Sequence, residues 1–155
     1  MSPRTARHGD APPPDATTAQ GRRVRVLRVV REAAWAPVAV MLVHAVAGWR
    51  FGHEPVVDPI AHFVGGATAA WFVRRTAILC REELGSLRSL GLDLLAFGLA
   101  SFAAVAWELG EGAVDLAWES AVRFSATNTL RDLALGTAGA GTYLVLRRMR
   151  GTDAS

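Results

Sequence analysis

The sequence contains no lysine; all 17 of its basic residues are arginine. It has a single cysteine, Cys80, which excludes an intramolecular disulfide and any cysteine-based metal cluster. There is no nucleophile elbow, no His-Glu-x-x-His pair and no glycine-rich phosphate loop, so no enzyme class is signalled by motif. No repeat of 20 to 50 residues is evident. The arginine-rich N-terminus has no aromatic interleaving and no fold to present it, which sets nucleic acid aside as a partner.

What is present is apolar. About half of the 155 residues are apolar, enough for one domain, and they fall in four long runs: Ala33 to Phe51, Pro59 to Leu79, Leu90 to Trp107 and Leu133 to Leu146. A helix needs roughly 20 such residues to cross a bilayer. The runs therefore predict an all-α integral membrane bundle of four transmembrane helices, the last one completed by Thr129 to Asp132 as its first turn. Residues 22–150 form this domain, between a disordered tail over 1–21 centred on Pro12-Pro13-Pro14 and a short tail over 151–155.

The arginines orient it. Fourteen lie before the first run, around the second connection and after the last run, whereas only Arg50, Arg123 and Arg131 fall on the opposite side. Positive charge stays cytoplasmic, so both termini are expected inside, in a multi-pass protein of the cytoplasmic membrane. A signal peptide is the rival reading, with Ala45-Val46-Ala47 as a cleavage site and Arg22-Arg23 as a faint twin-arginine signal. Cleavage after Ala47 removes the first span and leaves the other three oriented as before.

The second run opens on Asp58-Pro59-Ile60-Ala61-His62-Phe63-Val64-Gly65-Gly66. Asp58 suits an N-cap and Pro59 a first helical turn, and the four-residue spacing puts Asp58 and His62 on one face. Gly65 with Ala69, and Gly66 with Ala70, let helices approach closely, within one chain or between copies in an oligomer. Glu108, Glu111 and Asp115 share one face of a continuing helix after the third run, and Glu119 with Arg123 extends it as a solvated pair. Thr129 and Asp132 have the spacing of a capping box, which offers a purely structural account of Asp132. His44 lies within the first run, where a histidine either is hydrogen-bonded inside the bundle or serves a site.

Topology brings these groups to one level. Asp58 opens a span entering from outside, Glu108 closes one leaving, and Asp132 opens the next, with His62 and His44 deeper. Carboxylates crowded there repel unless a proton, a cation or an arginine such as Arg131 intervenes. The expectation is an outward-facing pocket of Asp58, His62, Glu108, Glu111 and Asp132, with His44 and Asp115 at its margin. It would bind a polar or cationic ligand, with His62, Glu108 and Glu111 as candidate ligands of a divalent cation. The alternatives are a structural or interaction protein whose polar residues cap helices, and a proton- or ion-coupled transport element.

These motifs in this order, Asp-x-x-x-His-Phe-x-x-Gly from Asp58, Trp-Glu-x-x-Glu from Trp107, then Asp115 and Thr-Leu-Arg-Asp-Leu from Thr129, resemble the VanZ-like and YjdF-like small bacterial membrane proteins. The resemblance covers about residues 56–146. It places the family's polar signature on Asp58, His62, Glu108, Glu111 and Asp132. Gly112 stands where YjdF-like members often carry tryptophan, and Gly136 where VanZ-like members often carry asparagine. The resemblance implies a bacterial cell-envelope protein of the inner membrane, in contact with lipid and with a lipid-linked envelope substrate as one class of ligand.

The orientation is testable directly. A reporter fused after Arg150 is expected to read as cytoplasmic, and one inserted beside Ser125 as external. Shielding of the Ser125 insertion from membrane-impermeant reagents overturns the four-span arrangement.

Overall fold

The computed structural model describes residues 16–51, 57–118 and 125–151. Every regular element among them is helical: α1 (Ala16–Val29), a π-helical turn (Val30–Ala34), α2 (Trp35–Phe51), α3 (Val57–Leu79), the single-turn α4 (Arg81–Leu84), α5 (Ser89–Trp118) and α6 (Ala126–Met149). The backbone stays helical through the π turn, so α1 and α2 form one uninterrupted rod. That rod begins at Ala16, so residues 16–21, expected to belong to a disordered tail, are helical; residues 1–15 of that tail and residues 152–155 lie outside the described residues. Ala16, Ala19 and Gln20 are good helix formers and carry the helix back to the edge of the proline-rich stretch.

Local sequence accounts for the breaks. Gly85 has φ of 76°, a left-handed conformation that closes α4 and suits a residue without Cβ. Ser125 is extended and accepts a hydrogen bond from the Asn128 backbone N–H at 3.1 Å, so it caps α6. This corrects the capping reading of Thr129 and Asp132: the cap lies one turn earlier, and both residues stand inside the helix. Asp58 likewise lies within the first turn of α3 rather than ahead of it.

α3 is the hub. It packs most extensively on α6, then on α5 and α2, while α5 and α6 also pack on each other. Among the described residues α2 packs on α3 and the π turn, and its backbone approaches neither α5 nor α6. The core is small: Ala70, Ala96, Ala100, Ala140 and Leu144. Large apolar side chains point outward instead, among them Leu42 and Val43 on α2, Phe102 and Leu109 on α5, and Leu130 on α6. The buried polar residues are Asp93, Glu108, Asp132 and Arg147. Small and charged groups inside with bulky hydrocarbon outside is the distribution expected where lipid, and not water, is the surrounding solvent.

Length and composition alone single out one helix able to cross a membrane, Ser89–Val114 within α5. The other three apolar runs also lie in helices. α2 has only 17 residues, and α3 and α6, with 23 and 24, carry charges at their ends: Asp58, Arg74 and Arg75 on the first, Arg131, Asp132, Arg147 and Arg148 on the second.

At one end of the bundle those charges are cross-linked. Asp93 of α5 accepts from Arg74 of α3 at 3.1 Å, from Arg147 of α6 at 3.0 Å to each oxygen, and from Arg148 at 2.7 Å. Three helices are tied there through one carboxylate, which removes the cost of an unpaired buried charge. Glu32 in the π turn meets Arg75 at 2.6 Å. Glu82 and Glu83 pair with Arg25 of α1 at 2.6 and 3.0 Å; both remain exposed, so each pair contributes about 0–1 kcal/mol.

Between α3 and α6 the backbones touch. A methyl group on Gly66 would overlap the Gly136 carbonyl, and one on Gly139 would overlap the Phe63 carbonyl. A methyl on Gly65 meets nothing within 4 Å. Gly66→Ala and Gly139→Ala are therefore expected to lower the melting temperature in detergent, by overpacking worth about 1–3 kcal/mol each. Gly65→Ala is expected to leave it unchanged or raise it, since alanine is about 1 kcal/mol better than glycine in a helix. Equal melting temperatures for the Gly65 and Gly66 variants would contradict this packing.

Candidate functional site

At the opposite end from the arginine cluster, α2 ends, α3 begins, α5 passes its twentieth residue and α6 begins. The side chains meeting there centre on His62. Its position one turn into α3 points the imidazole between α5 and α6, because the Gly66–Gly136 and Phe63–Gly139 contacts bring α6 against that face.

The two ring nitrogens face different surroundings. Nε2 lies 3.8 Å from Asp58 Oδ1 and 3.8 Å from Asp132 Oδ2. Nδ1 lies 3.6 Å from Glu108 Oε1. All three separations are just beyond hydrogen-bond length.

Asp132, 1 % exposed, is the largest fully buried side chain among the described residues. Its oxygens are both engaged: Oδ1 accepts from Arg131 Nε at 2.9 Å and Oδ2 from Asn128 Nδ2 at 2.7 Å. Arg131 also reaches Asp58 Oδ2 at 3.5 Å. The carboxylates on the Nε2 side thus have a counter-charge. On the Nδ1 side the balance differs. Glu108 is 5 % exposed, and its Oε1 has no hydrogen-bond partner. Glu111, one turn further along α5, accepts from Trp107 Nε1 at 2.7 Å and has a donor atom within 4.8 Å of those of His62 and Glu108. Thr129 is close enough to hydrogen-bond Glu108. No cation among the described contacts faces these two glutamates directly.

His44 of α2 stands at the rim. Its Nε2 is 4.0 Å from Asp58 Oδ1, its ring meets those of His62 and Trp107 edge-on at 6.3 and 6.2 Å, and its buried Nδ1 lacks a partner. Behind these rings runs a cavity of about 190 Å³ between α2, α3 and α5.

Of the residues singled out in the sequence, Asp58, His62, Glu108 and Asp132 come together, Glu111 joins them from the Nδ1 side and His44 from the rim. The backbone of Asp115 continues α5, but its side chain is outside those described, as are Glu119 and Arg123. Two contributors escape a reading of motifs. Asn128 is the amide that holds Asp132, and its i,i+4 spacing to Asp132 was the available signal. Trp107 fixes Glu111 by the same spacing. The Asp93 cluster also escapes, because its three arginines register first as topology signals.

The His62 environment presents two overlapping groups able to hold a cation: Asp58, His62 and Asp132, and His62, Glu108 and Glu111. Neither a curated protein nor a solved structure matches this chain. A family model does match, over residues 18–152, and the chain belongs to the DUF2238 family of predicted membrane proteins.

Proposed function

We propose that this is a multi-pass protein of the bacterial cell envelope that binds a divalent cation in an external pocket, on the Nδ1 side of His62. In this reading α2, α3, α5 and α6 all span the cytoplasmic membrane with both chain termini inside, and the VanZ-like and YjdF-like resemblance of the polar motifs belongs with it. Family membership supports a membrane protein. The outward bulky side chains and the arginines gathered at the far end support the orientation.

One observation carries the cation: a buried carboxylate oxygen without a partner, Glu108 Oε1, faces a ring nitrogen at 3.6 Å with a second glutamate beside it. Donors about 2.0–2.2 Å from a metal at tetrahedral angles stand about 3.4 Å apart, so this group needs little adjustment to close on an ion. Burying the Glu108 carboxylate beside a second, partly buried glutamate is otherwise costly. The Nε2 side supplies what a metal-binding imidazole needs behind it. Asp58 and Asp132 are placed to accept the other N–H and fix the tautomer, and Arg131 and Asn128 hold Asp132 in turn. One nitrogen and two carboxylates suit a borderline or hard ion such as Zn²⁺ or Mn²⁺. Three protein ligands leave positions open for water or an oxygen of a bound molecule.

A structural reading holds for Asp132 alone, whose two oxygens are both satisfied within α6. The two roles separate by substitution. The purified full-length chain, stripped of metal, is expected to bind one equivalent of Zn²⁺ or Mn²⁺ by calorimetry. Glu108→Gln and Glu111→Gln are each expected to weaken binding by more than tenfold while the melting temperature of the apo protein holds or rises, as repulsion is relieved. Asp58→Asn acts through His62 and is expected to cost about 10–100-fold. Ser125→Ala, which removes only the α6 cap, is expected to cost about 1 kcal/mol of stability and leave affinity unchanged. Absence of stoichiometric binding to the wild-type chain, or equal binding by the Glu108 variant, would overturn the cation site.

A further inference from the structure

Because the backbone of α2 approaches α3 but not α5, a cleft runs between α2 and α5 with α3 as its floor. Its walls are Val40 and Met41 on one side and Ala103 and Ala104 on the other, and Gly65 and Ala69 form the floor. Met41 on α2 and Ala103 on α5 line the cleft and are themselves exposed, so the cleft opens onto the apolar outer surface of the molecule. One end is different. There His44, His62 and Trp107 close it, and behind them lies the carboxylate pocket.

The cleft therefore has the polarity and the direction of a lipid in that leaflet, with a polar end at the level of Asp58 and Glu108 and an apolar channel descending towards the middle of the bundle. About 190 Å³ admits a stretch of one hydrocarbon chain and no folded segment. The charge of the pocket selects the head. Among the described contacts Asp58, Glu108, Glu111 and Asp132 face one guanidinium, Arg131, so even with a bound divalent ion these four carboxylates outnumber the positive charges paired with them by one. An anionic head adds to that excess, whereas a zwitterionic head adds no net charge and its ammonium group donates charge-assisted hydrogen bonds to the carboxylates.

We propose that the cleft takes one acyl chain of an aminophospholipid, phosphatidylethanolamine, with its ammonium among the pocket carboxylates and its phosphate on the open position of the cation. The phosphate contact rests on the cation reading above; the chain and the ammonium do not. The buried, unpartnered Nδ1 of His44 is placed at the neck where the head joins the chain.

Native mass spectrometry of the full chain from mixed micelles tests this, with phosphatidylethanolamine, phosphatidylcholine and phosphatidylglycerol supplied in equal amounts. One phosphatidylethanolamine per chain is expected, retained about tenfold or more over phosphatidylcholine, whose quaternary head cannot donate hydrogen bonds. Gly65→Leu fills the cleft from a position where an added Cβ meets no atom within 4 Å, and Ala103→Leu fills it from the opposite wall. Both are expected to lose the lipid and keep Zn²⁺ or Mn²⁺ binding, which also reports that they are folded. Equal retention of all three lipids, or full retention by both filled variants, overturns the proposal. A chain that holds phosphatidylethanolamine but no metal overturns the cation reading and the phosphate contact, and leaves the cleft assignment standing.

Discussion

The contact on which everything else depends is the one between two backbones. Where α3 crosses α6, Gly66 lies on Gly136 and Gly139 lies on Phe63, with no side chain between. In lipid, helices gain nothing from hiding hydrocarbon, so association has to come from close packing and from polar contacts that proximity makes available. The glycines provide the first and thereby the second. His62 and Asp132 sit one turn from the crossing on their respective helices, and only a short interaxial distance brings a ring nitrogen within 3.8 Å of a carboxylate from the neighbouring helix.

The two ends of the bundle solve the same problem in opposite ways. Asp93 is surrounded by three guanidiniums: Arg147 donates to both of its oxygens, Arg74 to Oδ1 and Arg148 to Oδ2, so this carboxylate is fully satisfied. Around His62 the carboxylates outnumber the cation, the distances sit just past bonding length, and a buried oxygen is left without a donor. A carboxylate with donors on both oxygens stiffens what it ties; one with a bare buried oxygen waits for something to complete it. The contrast argues that the second end, and not the first, is where a ligand belongs.

Much of this was legible in the sequence, for definite reasons. The four apolar runs mark α2, α3, α5 and α6, since a long uninterrupted run of hydrocarbon favours one continuous helix and such runs are countable. The gathering of Asp58, His62, Glu108 and Asp132 follows from alternation of direction, which places the start of one helix beside the end of the next. Other features were not legible. Ser125-Ala-Thr-Asn and Thr129-Leu-Arg-Asp both offer a cap at the same spacing, and only the path of the chain decides between them. Gly139 looks like any other small residue until the facing carbonyl of Phe63 is known. Arg74, Arg147 and Arg148 read as signals of orientation, because one-dimensional information cannot reveal that a single aspartate on another helix accepts from all of them.

The π turn at Val30–Ala34 has a consequence for how the rod is phased. Each residue of an α-helix advances the helix by about 100°, and a π turn absorbs one residue more than an α turn without adding a turn. The surplus residue sits between Arg25, which reaches Glu82 and Glu83, and the half of the rod that carries His44. It sets the angular offset between the two halves, as a shim sets the timing between two cams on one shaft. Length in this segment is therefore a coordinate in its own right: removing one residue rotates Arg25 by about 100° relative to His44 while leaving every side chain of both faces unaltered.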